Sequence, residues 1–259
     1  MASNVSAIKQ RIRSIRSTQK ITQAMKLVSL SKLQRYRKDM VEFEPYYQAV
    51  SDVTERFLPF EEAENDLPKM YIMFMPDLGL CSAYTQGMMR EIAHVLQEGD
   101  RVLSFGTQGY EQMKRKGIPI VNEMVSSERM HLTDVISDIE TYMDDYAIVA
   151  IVPEYESLDL SFNYYRLKTK VGEAKDDVIY DPSFEETSNM LLRQSLNSLV
   201  RHSFLVSKVS EHTTRRIAME KATDSAQEMI DSLQLQYNKA RQEAITQEIS
   251  EIVSGMEVL

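Results

Sequence analysis

The sequence predicts an α/β chain in which long helices from the two ends pair as an antiparallel coiled coil, with a smaller α/β domain inserted between them. Three observations carry this: where Gly and Pro fall, the three-four spacing of apolar residues near both ends, and the alternation of short apolar runs with helical stretches in the middle.

The first helix comes from punctuation and periodicity together. The first Pro is Pro45 and the first Gly is Gly79. Val5, Ile8, Ile12 and Ile15 recur at steps of three and four, and the pattern resumes at Met25, Val28, Leu33, Tyr36, Met40 and Phe43. The seam is interrupted by Thr18, Gln19 and Thr22 between these runs and by Ser29 and Ser31 within the second, which reads as a turn from self-packing toward contacts that must be released. Pro45 is expected to kink or locally break this helix, which continues to about Phe57.

The middle alternates. "MYIMFM" (70–75), "RVLSF" (101–105), "IPIV" (118–121) and "YAIVAIV" (146–152) read as short strands, with helical stretches near 84–97, 108–116 and 131–143. That order implies a mainly parallel, Rossmann-like sheet with helices on its faces. "LDLSFNYYRLKTKV" (158–171) alternates with period two at Leu160, Phe162 and Tyr164, as an edge strand does.

The last segment has neither Gly nor Pro between Pro182 and Gly255. If helical throughout, 183–254 would span roughly 110 Å at about 1.5 Å per residue, against a radius of gyration of about 18 Å for a globule of the whole chain. Leu192, Leu196 and Leu199 begin its stripe, continued by Ala222, Ala226, Met229, Leu233, Tyr237, Ala240 and Ala244. The expected division is 1–57 N-terminal helix, 69–178 α/β domain, and 183–259 C-terminal helix.

Composition bounds the function. With 43% hydrophobic residues in 259, the chain can build a core. No apolar run approaches the roughly 18 residues of a membrane span, and the start lacks a leader's apolar core, so an unprocessed cytoplasmic-type chain is expected. The single Cys81 excludes an internal disulfide framework and a Cys-cluster zinc site, and His94, His131, His202 and His212 lack ligand spacing. Residues 1–38 carry ten positive charges and no negative one, so the net −9 leaves −19 on the other 221. The first helix is therefore expected to meet an acidic partner.

Nothing assembles a catalytic constellation. There is no G-x-x-x-x-G-K-[ST] loop, and "PDLGLCSAY" lacks dinucleotide glycine spacing. "GTQG" (106–109) could cradle an anion but serves equally as a strand-to-helix turn. Cys81 has no activating His nearby and reads as a buried structural thiol, and Asp77 suits a helix cap or a turn. The adjacent pairs in "MDDY" (143–146) and "KDDV" (175–178) point their carboxylates apart. The sixteen Met residues suit either core filling or an adaptable surface.

"IKQRIRSIRSTQKITQAMKLVSLSKL" (8–33) closely resembles the N-terminal helix of the gamma subunit of F-type ATP synthase, with "TQKIT-x-AM" as signature. "EHTTRRIAMEKATDSAQEMID" (211–231) and "YNKARQEAITQEISEIVSG" (237–255) resemble that family's C-terminal helix. Where the family has Gly-Gly after the Cys of the first strand's turn, this chain has Ser82 and Ala83. Its Met-Val-Ala-Met stretch appears here as Arg216, Ile217, Ala218 and Met219.

The resemblance implies a non-catalytic central rotor shaft. In that family, ion flow through the membrane c-ring turns the shaft inside a hexamer of alpha and beta subunits, and hydrolysis drives the reverse. It implies alpha, beta and epsilon subunits and the c-ring as partners, no cofactor, no bound nucleotide or nucleic acid, and no direct membrane span. It implies a peripheral position at the cytoplasmic face of a bacterial plasma membrane, in a standard synthase or a specialised F-type-like relative. Lys20, Gln23 and Met25 fall where the family's shaft faces a beta subunit, as do Arg241, Gln242, Thr246 and Glu248. Val258 and Leu259 fall in the upper bearing, and Cys81 and Tyr84 at the foot near epsilon and the ring. Two other readings compete: a nucleic-acid binder using the basic first helix, opposed by the acidic remainder and the lack of interleaved aromatics, and a small nucleotide-binding α/β enzyme.

Overall fold

A computed structural model describes residues 2–61, 67–156 and 159–256. In chain order the elements are α1 (Ala2–Phe57), β1 (Lys69–Phe74), α2 (Ser82–Val95), β2 (Arg101–Phe105), α3 (Thr107–Arg115), α4 (Leu132–Glu140), β3 (Ala147–Glu156), β4 (Asp159–Arg166) and α5 (Phe184–Met256). The chain divides into two compact units: Met1–Ser29 with Arg215–Leu259, and Leu30–Thr214.

In the Leu30–Thr214 unit the sheet has the order β2-β1-β3-β4. β1 runs parallel to both β2 and β3, so Ile72 lies between Leu103 and Ala150, and β4 closes the edge antiparallel to β3. Period-two alternation sorts β1 between two cores. Met70, Ile72 and Phe74 face Val135 and Ile139 of α4 and Leu196 and Val200 of α5. Tyr71, Met73 and Met75 face Tyr84, Met88 and Met89 of α2 and Met113 of α3. Six methionines (70, 73, 75, 88, 89 and 113) are at most 2% exposed and fill the core, whereas Met124 and Met190 are 50% and 61% exposed.

One expectation is corrected and another narrowed. Residues 118–121 form no strand of the sheet: Ile120 makes an isolated bridge to Val102, and Val102 N donates to the Pro119 carbonyl. Pro119 has no N–H to return, so a ladder cannot propagate through it. Of the two outcomes expected at Pro45, a kink or a local break, the break is absent: α1 is helical through to Phe57. An interior Pro costs about 3 kcal/mol, which aromatic packing offsets here: Phe43 is buried with Tyr36 and Leu205, and Tyr47 and Phe204 pack against them.

The start of α5 has a local cause. Ser183 Oγ accepts from the Glu186 N–H at 3.2 Å, and Glu185 and Glu186 sit in the positive first turn. Within this unit α1 and α5 run antiparallel: Tyr36 stacks on His212, Tyr47 on His202 at 4.0 Å, and Thr54 Oγ1 lies 2.8 Å from Ser195 Oγ.

In the Met1–Ser29 and Arg215–Leu259 unit the helices are again antiparallel. Gln19 bonds Gln227, Thr22 bonds Thr223 and Lys26 bonds Glu220, the partner's number falling as its own rises. Ile12, Ala226 and Ile230 are buried in this pair.

Candidate functional site

The sequence reading left a polar gap in the first helix. The structure fills it. Stepping by three and four from Ile12 gives Ile15, Gln19, Thr22, Lys26 and Ser29, and these polar residues are the seam. Gln19 Nε2 donates to Gln227 Oε1 at 2.9 Å, Thr22 Oγ1 lies 2.8 Å from Thr223 Oγ1, Lys26 Nζ donates to Glu220 Oε1 at 2.6 Å, and Ser29 is 2% exposed. The stretch does not turn away from self-packing; it packs through hydrogen bonds. The Glu220 carboxyl is held below its usual value by the Lys26 hydrogen bond and charge.

The consequence is an inverted helix face. Ile21, Leu27 and Val28 are 59%, 61% and 57% exposed while polar side chains face inward. Two expected seam residues, Val28 and Met229, therefore lie outside. On α5 the inward position beside Met229 is taken by Ile230, 5% exposed. Polarity misled the reading at this point: three-four spacing followed regardless of residue type finds the seam.

The three residues expected at a beta subunit on this helix share the outward surface. Ile21, Met25 and Val28 lie at i, i+4 and i+7, and Lys20, Gln23 and Leu27 form the neighbouring stripe. Lys20 and Gln23 are exposed and Met25 is half-buried, as are Arg11, Arg13 and Arg16 exposed further along. Arg241, Gln242, Thr246 and Glu248 are also exposed, beside an apolar stripe of Ile245, Ile249, Ile252 and Val253. The two groups are not brought together. Lys26 lies across from Glu220, and Ala7, Ile8 and Arg11 across from Leu233 to Glu243, so the α5 group sits about 35 Å along the pair from Met25, at about 1.5 Å per residue. Val258 and Leu259 lie outside the described residues.

At the foot, Cys81 and Tyr84 are core residues, 1% and 0% exposed, and Tyr84 Oη donates to the Phe74 carbonyl at 2.6 Å. Period and burial place them under the loop and not on it. The surface there belongs to Leu78 and Leu80, 57% and 53% exposed, with Leu80 at φ 66°.

The "GTQG" turn holds no vacant anion cradle. Gly106 has φ 125° and a Cβ there would stand 2.0 Å from the Met75 carbonyl oxygen, so glycine is required by close approach to the end of β1. The N–H of Thr107 that opens α3 donates to Asp77 Oδ1 at 3.0 Å, so the chain's own carboxylate sits where a phosphate would bind. Asp77 also accepts from Ser126 Oγ and from the backbone N–H groups of Ser127 and Glu128. Burial opposes its charge, yet these hydrogen bonds hold its carboxyl below the usual value.

Terminal helices paired antiparallel, with a four-stranded mainly parallel sheet inserted between them in sequence, define the class of α/β protein. A family model described as ATP synthase matches residues 4–259, and the chain belongs to that family, in its gamma-subunit group. Solved structures share the fold. A chain of the Euglena gracilis mitochondrial ATP synthase (OSCP/F1/c-ring, rotational state 3) superposes with a TM-score of 0.77 at 14% identity, covering 100% of this chain and 95% of its own. A chain of the Euglena gracilis rotor in rotational state 1 gives 0.69 at 13% identity, covering 95% and 100%. A chain of the Tetrahymena thermophila mitochondrial central stalk and c-ring gives 0.62 at 16% identity, covering 78% and 99%.

Proposed function

We propose that this chain is the central rotor shaft of an F-type ATP synthase, coupling ion flow through a membrane c-ring to the conformational cycle of catalytic beta subunits. It is a subunit of a rotary complex and is itself non-catalytic. Family membership supports the assignment, and the observation that carries it is the inverted stretch at 19–29. A helix that spends polar side chains on its own partner and presents Ile21, Leu27 and Val28 outward has a surface made for other proteins.

That surface suits a rotor. Scattered apolar contacts ringed by Lys20, Arg16 and Arg13 can meet acidic loops on successive neighbours, each exposed ion pair contributing only about 0 to 1 kcal/mol. Contacts of that strength are made and broken each turn. On this reading Lys20, Gln23 and Met25 form one coupling surface toward beta, and Arg241, Gln242, Thr246 and Glu248 a second. The apolar stripe ending at Val253 leads toward an upper bearing at Val258 and Leu259. The foot meets the epsilon subunit and the c-ring through the loop that Cys81 and Tyr84 support, with Leu78 and Leu80 at its surface. The working parts are then 1–57 and 183–259 as shaft and 69–178 as foot.

Asp77 filling the α3 N-terminus supports a chain without bound nucleotide. Among the described residues no helix is long and apolar enough to cross a membrane. The rotor role implies peripheral attachment through a membrane complex, for which the cytoplasmic face of a bacterial plasma membrane is the location we propose. Affinity purification in mild detergent tests the reading. Alpha and beta subunits should co-purify with the chain, in the membrane fraction, and their absence would sink the rotor assignment.

A further inference from the structure

Within the Leu30–Thr214 unit, the turn at Ser126–Glu128 is bonded to several parts of the fold at once. From α5, Lys208 Nζ donates to Ser127 Oγ at 2.6 Å and to Glu211 Oε2 at 2.9 Å. From α1, Lys32 Nζ donates to Glu128 Oε1 at 2.5 Å. From the end of β1, Asp77 accepts from Ser126 Oγ, Ser127 N and Glu128 N, and the Met75 carbonyl lies 3.0 Å from Ser127 Oγ. Asp77 ties the same turn to the start of α3.

The charges in this cluster are in an unusual place. The Lys208 and Glu211 side chains are 1% and 3% exposed. A buried ion pair is commonly no more stabilising than well-packed apolar residues of the same volume, because desolvation offsets its attraction. Stability alone is therefore a weak reason for it. A directional bond does something apolar packing cannot: hydrophobic contact is non-directional and resists separation far better than sliding. A buried lysine aimed at one hydroxyl resists shear, since any slip breaks that bond away from water while Glu211, on the same helix, moves with the lysine.

We infer that Lys208 is a positioning residue, the central member of a bracket that locks the α/β sheet onto the helix pair carrying it, so that twisting load passes between them without slip. Ser127 receives the lock on the sheet side, Glu211 balances its charge, and Lys32 braces the same turn from α1. The inference rests on the rotor reading, because only a loaded shaft needs shear resistance.

The test uses the assembled complex reconstituted in vesicles, with ATP hydrolysis and ATP-driven ion transport measured together, and thermal unfolding measured on the chain. Two variants separate load-bearing from folding. Lys208→Met/Glu211→Leu removes both charges at similar volume, and its melting temperature reports the cost to folding separately. Ser127→Ala keeps the ion pair and deletes its receiver. Both should hydrolyse ATP at the ordinary rate while ions moved per ATP fall about threefold, the scale on which residues of a coupling network act. Ordinary transport per ATP in both variants overturns the bracket. So does a loss confined to the double variant and matched by a lower melting temperature. Failure of the unsubstituted chain to assemble with alpha and beta overturns the rotor reading itself, and this one with it.

Discussion

Thr22 Oγ1 and Thr223 Oγ1 stand 2.8 Å apart across the antiparallel helices, in a seam position that a coiled coil would ordinarily fill with an aliphatic side chain. Each hydroxyl also has a carbonyl acceptor on its own helix, Gln19 for Thr22 and Met219 for Thr223. The two therefore share a contact that only one can donate to. Polar pairing of this kind fixes register more than it adds stability.

A double-mutant cycle reads that balance. Thr22→Val or Thr223→Val alone should lower unfolding free energy by about 1 kcal/mol, because one hydroxyl keeps its place without a cross-helix partner. The double variant should return to within about 0.5 kcal/mol of the parent, as matched apolar replacement does. Urea titration measures both. Simple additivity of the two losses would mean that the hydroxyls do not interact.

Met25→Lys places a charge in the middle of the outward stripe formed with Ile21 and Val28. It should lower ion transport per ATP several-fold while leaving the yield of assembled complex near normal. Comparison of transport with co-purified beta subunit decides it. Unchanged coupling would remove Met25 from the contact surface.

Gly106→Ala should be among the most damaging single changes in the chain. The new Cβ would meet the Met75 carbonyl at 2.0 Å, and the residue would hold φ 125°, which alanine resists. A loss above about 4 kcal/mol is expected, seen as insoluble expression or a collapsed thermal transition. Gly117→Ala is the control. It too has positive φ, at 71°, but nothing lies within 4 Å of its Cβ position, so its loss should stay near 1 kcal/mol.

Acid should weaken the fold in two stages. Burial pushes the His202 imidazole below its usual 6.5 against the opposing pull of Glu44, so it favours the neutral form when folded. Its contribution is complete above about pH 6.5 and is lost as pH falls. Asp77 and Glu220 are both lowered from ordinary values of 3.8 and 4.5, so their contributions persist above those values and vanish as pH drops through and below them. Unfolding free energy measured from pH 7.5 to 3 should fall throughout. His202→Gln should flatten only the upper stage, and a curve unchanged by that variant would exclude the imidazole as its source.

Much of this architecture was legible because its signals are local. Residues 101–105 were read as a strand from their own apolar run, and the helices at both ends from the absence of Gly and Pro. The edge position of Leu160, Phe162 and Tyr164 followed from alternation. Pro119 cannot carry a ladder, which the apolar run around it hides, and α1 passes through Pro45 without a break, beside the cluster of Phe43, Tyr47, Phe204 and Leu205. The seam at Gln19, Thr22, Lys26 and Ser29 is hidden in the sequence because its residues are polar, and only their three-four spacing marks it. Lys208 was invisible for a different reason: its partner Ser127 lies 81 residues away, and no local pattern marks a lysine that will be buried.

The apolar stripe at Ile245, Ile249, Ile252 and Val253, together with Ile21, Leu27 and Val28, has a consequence for the life of a single molecule. In the chain by itself these side chains face water, and among the described residues none folds back over them. An orphan copy therefore carries the marks by which chaperones and proteases recognise incomplete proteins. Its lifetime in the cell should be set by the supply of its partners, so that surplus copies are cleared and stoichiometry is enforced by degradation.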